Sequence, residues 1–331
     1  MSVNGCINSV EISTSGRLHM GFFDLHGGLG RKFGSIGLSL TEPNLVLTAK
    51  RAKSLQVSAV SSVPESVVAR VAKVSQQILS AMNIIDAVEI NVTEAVPEHY
   101  GLGSGTQMAL AAGSAISHLY QLNLTGMEIA RLTGRGRRSG VGISAFDYGG
   151  LIVDGGRQVS ATHTSPPPML ARYDFPEEWA VLLIFDSSEP GIHGEQEKVA
   201  FNELPDFPES LAAHLCRHVL MQAMPALVER DLNAFGQSIQ ELQRHVGDYF
   251  LPVQGGRYAS RLVSAVLQSL ELMGVPCFGQ SSWGPTGFAI FANKSQAELH
   301  LQQLKASFTD SALSWKICSA CNHGAKLQVL T

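Results

Sequence analysis

Three features of the sequence predict an α+β fold. Both halves of the chain run as short apolar strands followed by helices, and single strands rarely alternate with crossover helices. The chain is also apolar enough for a large core, with 331 residues of which 45% are hydrophobic and only 16% charged. A globule of this length buries roughly three quarters of its unfolded surface. Strands are expected at Leu45–Thr48, Val57–Val60 and Val88–Val92, where β-branched residues cluster between turn formers. Between the last two, Val67, Val71, Val74, Ile78 and Met82 recur at helical spacing, so a helix is predicted near 65–82, with Glu65, Ser66 and Arg70 on its wetter side. Met108, Ala111, Ala112, Ala115 and Leu119 line one face of a second helix, whose small residues permit close approach to a neighbour. Thr125 with Glu128 is a capping-box pattern and Gly134 a stop, giving a short helix at 126–133. Phe146–Val153 reads as a hairpin or strand.

The Ser165-Pro-Pro-Pro168 run suggests a boundary between domains at 1–165 and 166–331. Beyond it, Ala180–Phe185 is an apolar strand. Residues 195–203 and 209–245 have helical periodicity, broken at Pro225, and Ser260–Met273 is helical, closed by Gly274. A strand and turn at 277–292 precede a helix announced by Ser295 with Glu298. There is no internal repeat.

The composition excludes disordered, collagenous and coiled-coil classes. A net charge of −4 argues against a dedicated nucleic-acid or membrane-surface binder, because neither is served without a broad cationic face. No run of 18 apolar residues suggests a membrane span. The opening MSVNGCINSV lacks signal-peptide character, and an odd set of cysteines (6, 216, 277, 318, 321) does not resemble a disulfide framework. The expectation is a cytoplasmic protein. Cys318-x-x-Cys321-x-His323 lacks a second pair of zinc ligands and is set aside.

Three segments carry chemistry. Gly101-Leu-Gly-Ser-Gly-Thr-Gln107 leads into a helix, so its N–H groups and the helix dipole can hold an anion. It is neither a dinucleotide fingerprint nor a Walker loop. Gly279-Gln-Ser-Ser-Trp-Gly-Pro-Thr-Gly287 supplies further hydroxyls and N–H groups. Ser15–Asp24 and the residues after it bring Arg17, His19, Asp24, His26 and Arg31 among glycines, read as a loop whose polar groups are costly to bury without a ligand.

Together these segments, with Gly28-Leu-Gly-Arg-Lys-Phe-Gly-Ser-Ile-Gly37, Gly136-Arg-Arg-Ser-Gly-Val-Gly142, Gly149-Gly150, Gly155-Gly156, Gly191-Ile-His-Gly194 with Glu197, and Asn322-His-Gly-Ala325, carry a resemblance over essentially the whole chain. The sequence resembles the β-ribofuranosylaminobenzene 5′-phosphate synthases of methanopterin biosynthesis, within the galactokinase, homoserine kinase, mevalonate kinase and phosphomevalonate kinase superfamily. The resemblance implies an N-terminal domain like domain 2 of ribosomal protein S5 and a ferredoxin-like C-terminal domain. It also implies a homodimer that joins 4-aminobenzoate to phosphoribosyl diphosphate, releasing carbon dioxide and pyrophosphate with Mg2+. Arg17, Gly101, Gly103, Ser104, Gly105, Thr106, Gln107, Arg137, Arg138 and Ser139 are then candidates for phosphate binding. Gln280, Ser281, Ser282, Trp283, Gly284 and His193 are candidates for substrate binding. His19, Asp24, His26 and Arg31 are candidates for catalysis, and Ser104, Thr106, Glu195 and Glu197, with Asp24, offer the hard oxygens Mg2+ prefers.

One departure separates sibling chemistries. Kinases of the superfamily usually place an Asp two residues after a Ser-Gly pair, but Ser139-Gly140 is followed by Val141 and Gly142. Glycine cannot deprotonate an alcohol, and Asp147 lies five residues beyond Gly142. The alternatives are an ATP-dependent small-molecule kinase using Asp147 or another base, and a non-catalytic ligand sensor.

Overall fold

In a computed structural model, residues 7–160, 165–188, 191 and 204–330 are described. Two antiparallel-rich sheets enclose one long helix. The first sheet has seven strands: β1 (Ser9–Asp24), β3 (Gly34–Ala52), β4 (Gln56–Ala59), β5 (Ala87–Glu94), β6 (Leu151–Asp154), β8 (Met169–Tyr173) and β13 (Lys326–Leu330). A small ladder joins β2 (Arg31–Lys32) to β7 (Arg157–Gln158). The second sheet runs β10 (Cys277–Gln280), β11 (Thr286–Phe291), β9 (Ala180–Asp186), β12 (Leu313–Ser319), all antiparallel. With its intervening helices this is the βαββαβ order of a ferredoxin-like domain, and the two-domain α+β expectation holds.

The stretch expected to be a loop around Arg17 and His19 is instead the second half of β1. It stays in the ladder because bulges between Ser15 and Arg17, and between His19 and Gly21, absorb its glycines, with Arg17 opposite Ser39 and His19 opposite Gly37. A bulge re-aims side chains without ending the strand. The 165/166 division is crossed by β8 and β13, which pair with β6 and β1 in the first sheet.

Helices α1 (Glu65–Ala81), α2 (Ser104–Leu119), α3 (Gly126–Leu132) and α4 (Val141–Tyr148) cover the first sheet. The Thr125–Glu128 capping box forms at α3. A Cβ at Gly113 would overlap Ile129 and touch Ile78 at 3.0 Å, so α2 can meet α1 and α3 only with glycine there. Residues 146–148, expected in a strand, finish α4; Gly149 and Gly150, both at positive φ, then turn the chain into β6.

The helical run after 209 is not one helix broken at Pro225. It comprises α5 (Glu209–His218), a π turn (Val219–Ala223), α6 (Met224–Glu229) and α7 (Leu232–Gln254). Pro225 is tolerated at the start of α6; the true break is Arg230, left-handed at φ 60°, followed by the Asp231 cap on the Ala234 N–H at 3.0 Å. The expected 195–203 helix lies outside the described residues. Helices α8 (Arg261–Leu272) and α9 (Lys294–Ser307) back the second sheet. Asn293, not Ser295, caps α9 by accepting from the Gln296 N–H at 2.9 Å.

Alternate residues of β9 divide the core. Ala180, Leu182 and Ile184 pack with Val263, Val266 and Leu270 of α8, while Val181 and Leu183 join the main core with Phe235, Ile239 and Leu242 of α7. A strand buried on both faces reads as one apolar run. Helix α7 therefore lies between the sheets, touching β10 on one side and Gly21 of β1 on the other, where a Cβ would sit 3.0 Å from Leu242. That placement makes α7 the wall of a cavity beside β1. Among the described residues no helix is long and apolar enough to cross a membrane.

Candidate active site

The three glycine-rich segments of the sequence converge. Gly101 and Gly103 hold φ of 75° and 77°, a region that side chains other than glycine seldom adopt. A Cβ at Gly101 would overlap the Ser281 carbonyl, and one at Gly284 would overlap the backbone of Tyr100 and Gly101. Gly191 closes on the same turn, with its Cβ position 2.7 Å from Gly284 Cα. β1 is stitched to both loops. The Arg17 N–H donates to the Leu102 carbonyl at 3.0 Å and its guanidinium to the Gly101 carbonyl at 2.5 Å. The His19 N–H donates to Ser281 Oγ at 3.0 Å, and Ser281 Oγ donates to the Gly101 carbonyl at 2.9 Å. The Ser282 N–H returns to the His19 carbonyl at 3.0 Å.

The start of α2 is a candidate anion cradle. Thr106 and Gln107 N–H groups close on the Gly103 carbonyl, while the first turn of any helix leaves N–H groups aimed outward with a positive dipole end. Arginines surround it. Arg17 lies against Gly103, and a Cβ at Gly105 would meet Arg70 Nη2 at 2.8 Å and Arg135 Nη1 at 3.1 Å. Burial, then the charges of Arg70 and Arg137, push the Arg135 pKa down, and its Nε is buried without a partner among the described residues. Cations crowded this way call for an anion. Arg70 also pairs with Glu98. Ser104 is buried and Thr106 half-buried in this turn.

Beside the cradle is a small, partly open cavity of about 40 Å³, lined by His19 and Phe22 of β1, Gln243, Val246 and Phe250 of α7, and Trp283. Trp283 and Phe250 meet at a tilt of 46° with ring centroids 4.3 Å apart. His19 is 3% exposed, and neither ring nitrogen has a hydrogen-bond partner among the described residues. Burial, with help from the Arg17 charge, lowers its pKa to about 3, so the ring is neutral near pH 7. It offers one donor and one acceptor to the cavity and cannot arrive as an imidazolium acid.

Other sequence candidates are committed to architecture. Asp24 Oδ1 accepts from the His26 and Gly27 N–H groups at 2.9 and 3.2 Å, and His26 Nδ1 accepts from the Gly28 N–H at 3.1 Å. Both serve the turn after β1. Arg31 donates to the carbonyls of Gly155 and Gly156 at 2.7 and 2.6 Å, tying β2 to the end of β6. Gln107, expected at the phosphate, is fully buried, accepts from Thr14 Oγ1 at 2.7 Å and donates to the Gly142 carbonyl at 2.8 Å. The Gln280 side chain accepts from the Ala259 N–H at 2.6 Å and donates to the Ser282 carbonyl at 2.9 Å, fixing the turn it borders. Arg137 lies exposed near Gly134, and Arg138 is half-buried beside Ser139. His193, Glu195 and Glu197 lie outside the described residues.

Ser139 belongs to a knot around Asp154, which sequence reasoning does not single out. Asp154 is 0% exposed and accepts from Ser35 Oγ at 2.6 Å, Ser139 Oγ at 3.0 Å, the Gly140 N–H at 2.8 Å and the Gly156 N–H at 2.9 Å. Burial raises its carboxyl pKa against the pull of those donors. The knot sets the start of α4, where a Cβ at Gly142 would sit 3.2 Å from Thr106 Cγ2. Position 142 thus faces the anion cradle, whereas Asp147 lies against Gly126 of α3, on another side of α4. Sequence reasoning also misses Arg70, Arg135 and Gln243 as site residues. Arg135 sits in the Gly/Arg loop just ahead of Arg137 and Arg138; Gln243, which donates to the Gln280 carbonyl at 3.0 Å, has no sequence signal beyond helical periodicity.

A second cluster lies on the outer side of α5 and α7. His214, Glu241 and His245 place ligand atoms within 4.8 Å of one another and could coordinate a divalent metal. Cys318 and Cys321 are free thiols; Cys321 Sγ lies 3.5 Å from His323 Nδ1, while Cys216 contacts the Phe23 carbonyl and does not join them.

Comparison with known proteins agrees with this layout. The family model for the GHMP kinases N-terminal domain matches residues 66–150, and that for the GHMP kinases C-terminal domain matches 223–310. A β-ribofuranosylphenol 5′-phosphate synthase of Archaeoglobus fulgidus is 34% identical over 97% of this chain and 100% of its own length. One from Methanocaldococcus jannaschii is 35% identical over 84% of this chain and 88% of its own. Among solved structures, mevalonate diphosphate decarboxylase from Staphylococcus aureus superposes with a TM-score of 0.69 at 15% identity, covering 97% of this chain and 98% of its own, which is a likeness of fold.

Proposed function

Because the chain belongs to the β-ribofuranosylphenol 5′-phosphate synthase family of the GHMP kinase superfamily, we propose that it joins phosphoribosyl diphosphate to a para-substituted benzoate, releasing carbon dioxide and pyrophosphate, as a decarboxylating phosphoribosyltransferase of tetrahydromethanopterin biosynthesis. The observation that carries this reading is the junction of an arginine-ringed anion cradle with an aromatic-lined cavity, where the Ser281 hydroxyl bonds both the His19 N–H and the Gly101 carbonyl. One half suits a sugar diphosphate and the other a flat ring.

The bond from sugar C1 to the diphosphate oxygen breaks, and positive character develops at C1. The ring carbon bearing the carboxylate bonds to C1; the carboxylate's bonding pair then returns to the ring as carbon dioxide departs. No proton leaves that carbon, so the chemistry needs no base at Gly142. Arg17, Arg70 and Arg135 and the α2 N–H groups neutralise the departing diphosphate. Mg2+ fits as a partner of the diphosphate, with the Ser104 and Thr106 hydroxyls as protein donors, since this ion keeps several non-protein oxygens; it supplies further neutralisation of the leaving group. Trp283 and Phe250 hold the acceptor ring, and neutral His19 hydrogen-bonds its para substituent. This role replaces proton donation by His19, which its low pKa disfavours. The carboxylate rests near apolar surface, because a tight guanidinium grip would oppose its loss. A homodimer is part of the same proposal.

The resemblance points to 4-aminobenzoate as acceptor; the phenol in the relatives' names favours 4-hydroxybenzoate as a second reading. The test is release of labelled carbon dioxide from each carboxyl-labelled benzoate with phosphoribosyl diphosphate and Mg2+, beside ATP consumption with homoserine, mevalonate and galactose. Release that requires both substrates and no ATP is expected, and the ratio of kcat/KM names the acceptor. ATP turnover tied to an alcohol, with no carbon dioxide, would replace the synthase by a kinase. Binding of phosphoribosyl diphosphate without turnover in either arm would favour a sensor.

A further inference from the structure

Two i, i+4 pairs face each other across the seam of α5 and α7: His214 with His218, and Glu241 with His245. Side chains four apart share one helix face. Glu241 Oε1 sits 2.7 Å from His214 Nε2 and 3.0 Å from His245 Nε2, and Arg244 Nη2 holds the other carboxylate oxygen. Three potential ligand atoms from two helices thus already converge, and a single carboxylate oxygen is left pointing between two imidazoles. The His218 ring meets His214 edge-on at 4.4 Å and is itself held by Gln222 of the π turn at 2.8 Å. π turns inside helices recur at functional sites. Outer contacts that orient a ligating imidazole are a regular part of metal sites.

We propose that His214, Glu241 and His245 bind one borderline transition-metal ion of the Zn2+ class, with water completing the coordination. Two imidazoles and one carboxylate suit such an ion and do not suit Mg2+, which prefers an all-oxygen shell. The site is therefore separate from the Mg2+ of the proposed reaction. It clips α5 to the outer face of α7, whose inner face carries Gln243, Val246 and Phe250 into the His19 cavity. An ion bound here ties down the helix that forms the cavity wall, without touching the substrates.

The test uses the full chain, stripped with chelator and titrated with Zn2+ or Co2+ alone in excess Mg2+. Expected are one Zn2+ per chain, a rise in Tm on binding, and visible Co2+ absorption of a low-coordinate nitrogen and oxygen site without thiolate charge transfer. His214→Asn on α5 and His245→Asn on α7, each checked for native circular dichroism, should weaken Zn2+ binding by at least about tenfold and shrink the Tm rise at a fixed Zn2+ concentration. No uptake in wild type, or uptake unchanged in both variants, would overturn the site. A thiolate charge-transfer band would also overturn it, placing the ion at Cys318, Cys321 and His323. Should one variant fold poorly, the other and the wild-type Co2+ spectrum still decide the matter.

Discussion

His19 and Asp154 are both buried titratable groups on the first sheet, yet their surroundings are opposite. Asp154 has four donors around one carboxylate, while the His19 ring has no hydrogen-bond partner among the described residues and opens on a cavity. A saturated buried polar group holds a scaffold together, because removing it strands its donors. A buried polar group left unmatched costs stability unless something else completes it, and here the place for that is a ligand. The contrast separates what builds the site from what works in it.

Removing the scaffold partner should give the larger effect. Asp154→Ala strands two hydroxyls and two N–H groups at the start of α4, and a loss of about 3 kcal/mol in unfolding free energy is expected by denaturant titration. Turnover per folded molecule should fall much less. If stability were unchanged, the knot would not be the anchor of the Ser139–Gly142 turn. Close behind comes the cradle itself. Ser104→Ala with Thr106→Ala should lower kcat about a hundredfold with folding intact, as loss of donors to a developing negative charge does. Unchanged kinetics would take α2 out of the site.

His19 gives the finer test, because it predicts opposite signs for two readouts. His19→Gln should raise KM for the benzoate about tenfold through loss of a shaped hydrogen-bonding partner, yet relieve acid sensitivity. The folded pKa is depressed to about 3 from 6.5. The unfolded chain therefore binds a proton first as pH falls, and the contribution to stability is full above pH 6.5 and lost toward pH 3. The wild type should lose up to about 1.4 kcal/mol per pH unit in that window from this group, and the variant should lack that slope. Equal slopes would mean that His19 is protonated in the folded protein.

The same contrast explains what the sequence could show. Glycines at 101, 103 and 284 are legible because the backbone conformation or close approach they allow admits little else, and they mark the loops directly. Arg17, His19 and Trp283 are legible because they lie within or beside those loops. Asp24, His26 and Arg31 look like site residues for the same reason, but they close the turn after β1 locally. Their hydrogen bonds run to backbone two residues on or to the β6 end, which residue type alone cannot reveal. Asp154 and Gln243 stay hidden because three of the four Asp154 donors, and the Gln243 partners, come from strands or loops more than a dozen residues away in sequence, and an isolated Asp or Gln carries no spacing pattern. Arg70 falls on the polar side of its helix, as its spacing predicts; that this side meets the start of α2 is a tertiary fact. The order of strands and helices is enough for the fold class, whereas the crossing of the 165/166 division by β8 and β13 depends on pairings that only the assembled sheet specifies.

The smallest effect expected is the one that best isolates the reaction class. Desolvation pushes the Asp147 carboxyl up to about 6 although the residue remains exposed, a value that would suit a general base. Geometry opposes the role. Asp147 packs against Gly126 of α3, and position 142, which does face Thr106 in the cradle, is a glycine. A base must reach its proton before its pKa matters, and the decarboxylating route offers no proton at the bond-forming carbon. Asp147→Asn should therefore leave carbon dioxide release within a few fold of wild type, with no change in the pH profile near 6. A near-total loss in a folded variant would mean that α4 turns during turnover, and the proton-free route would have to be abandoned.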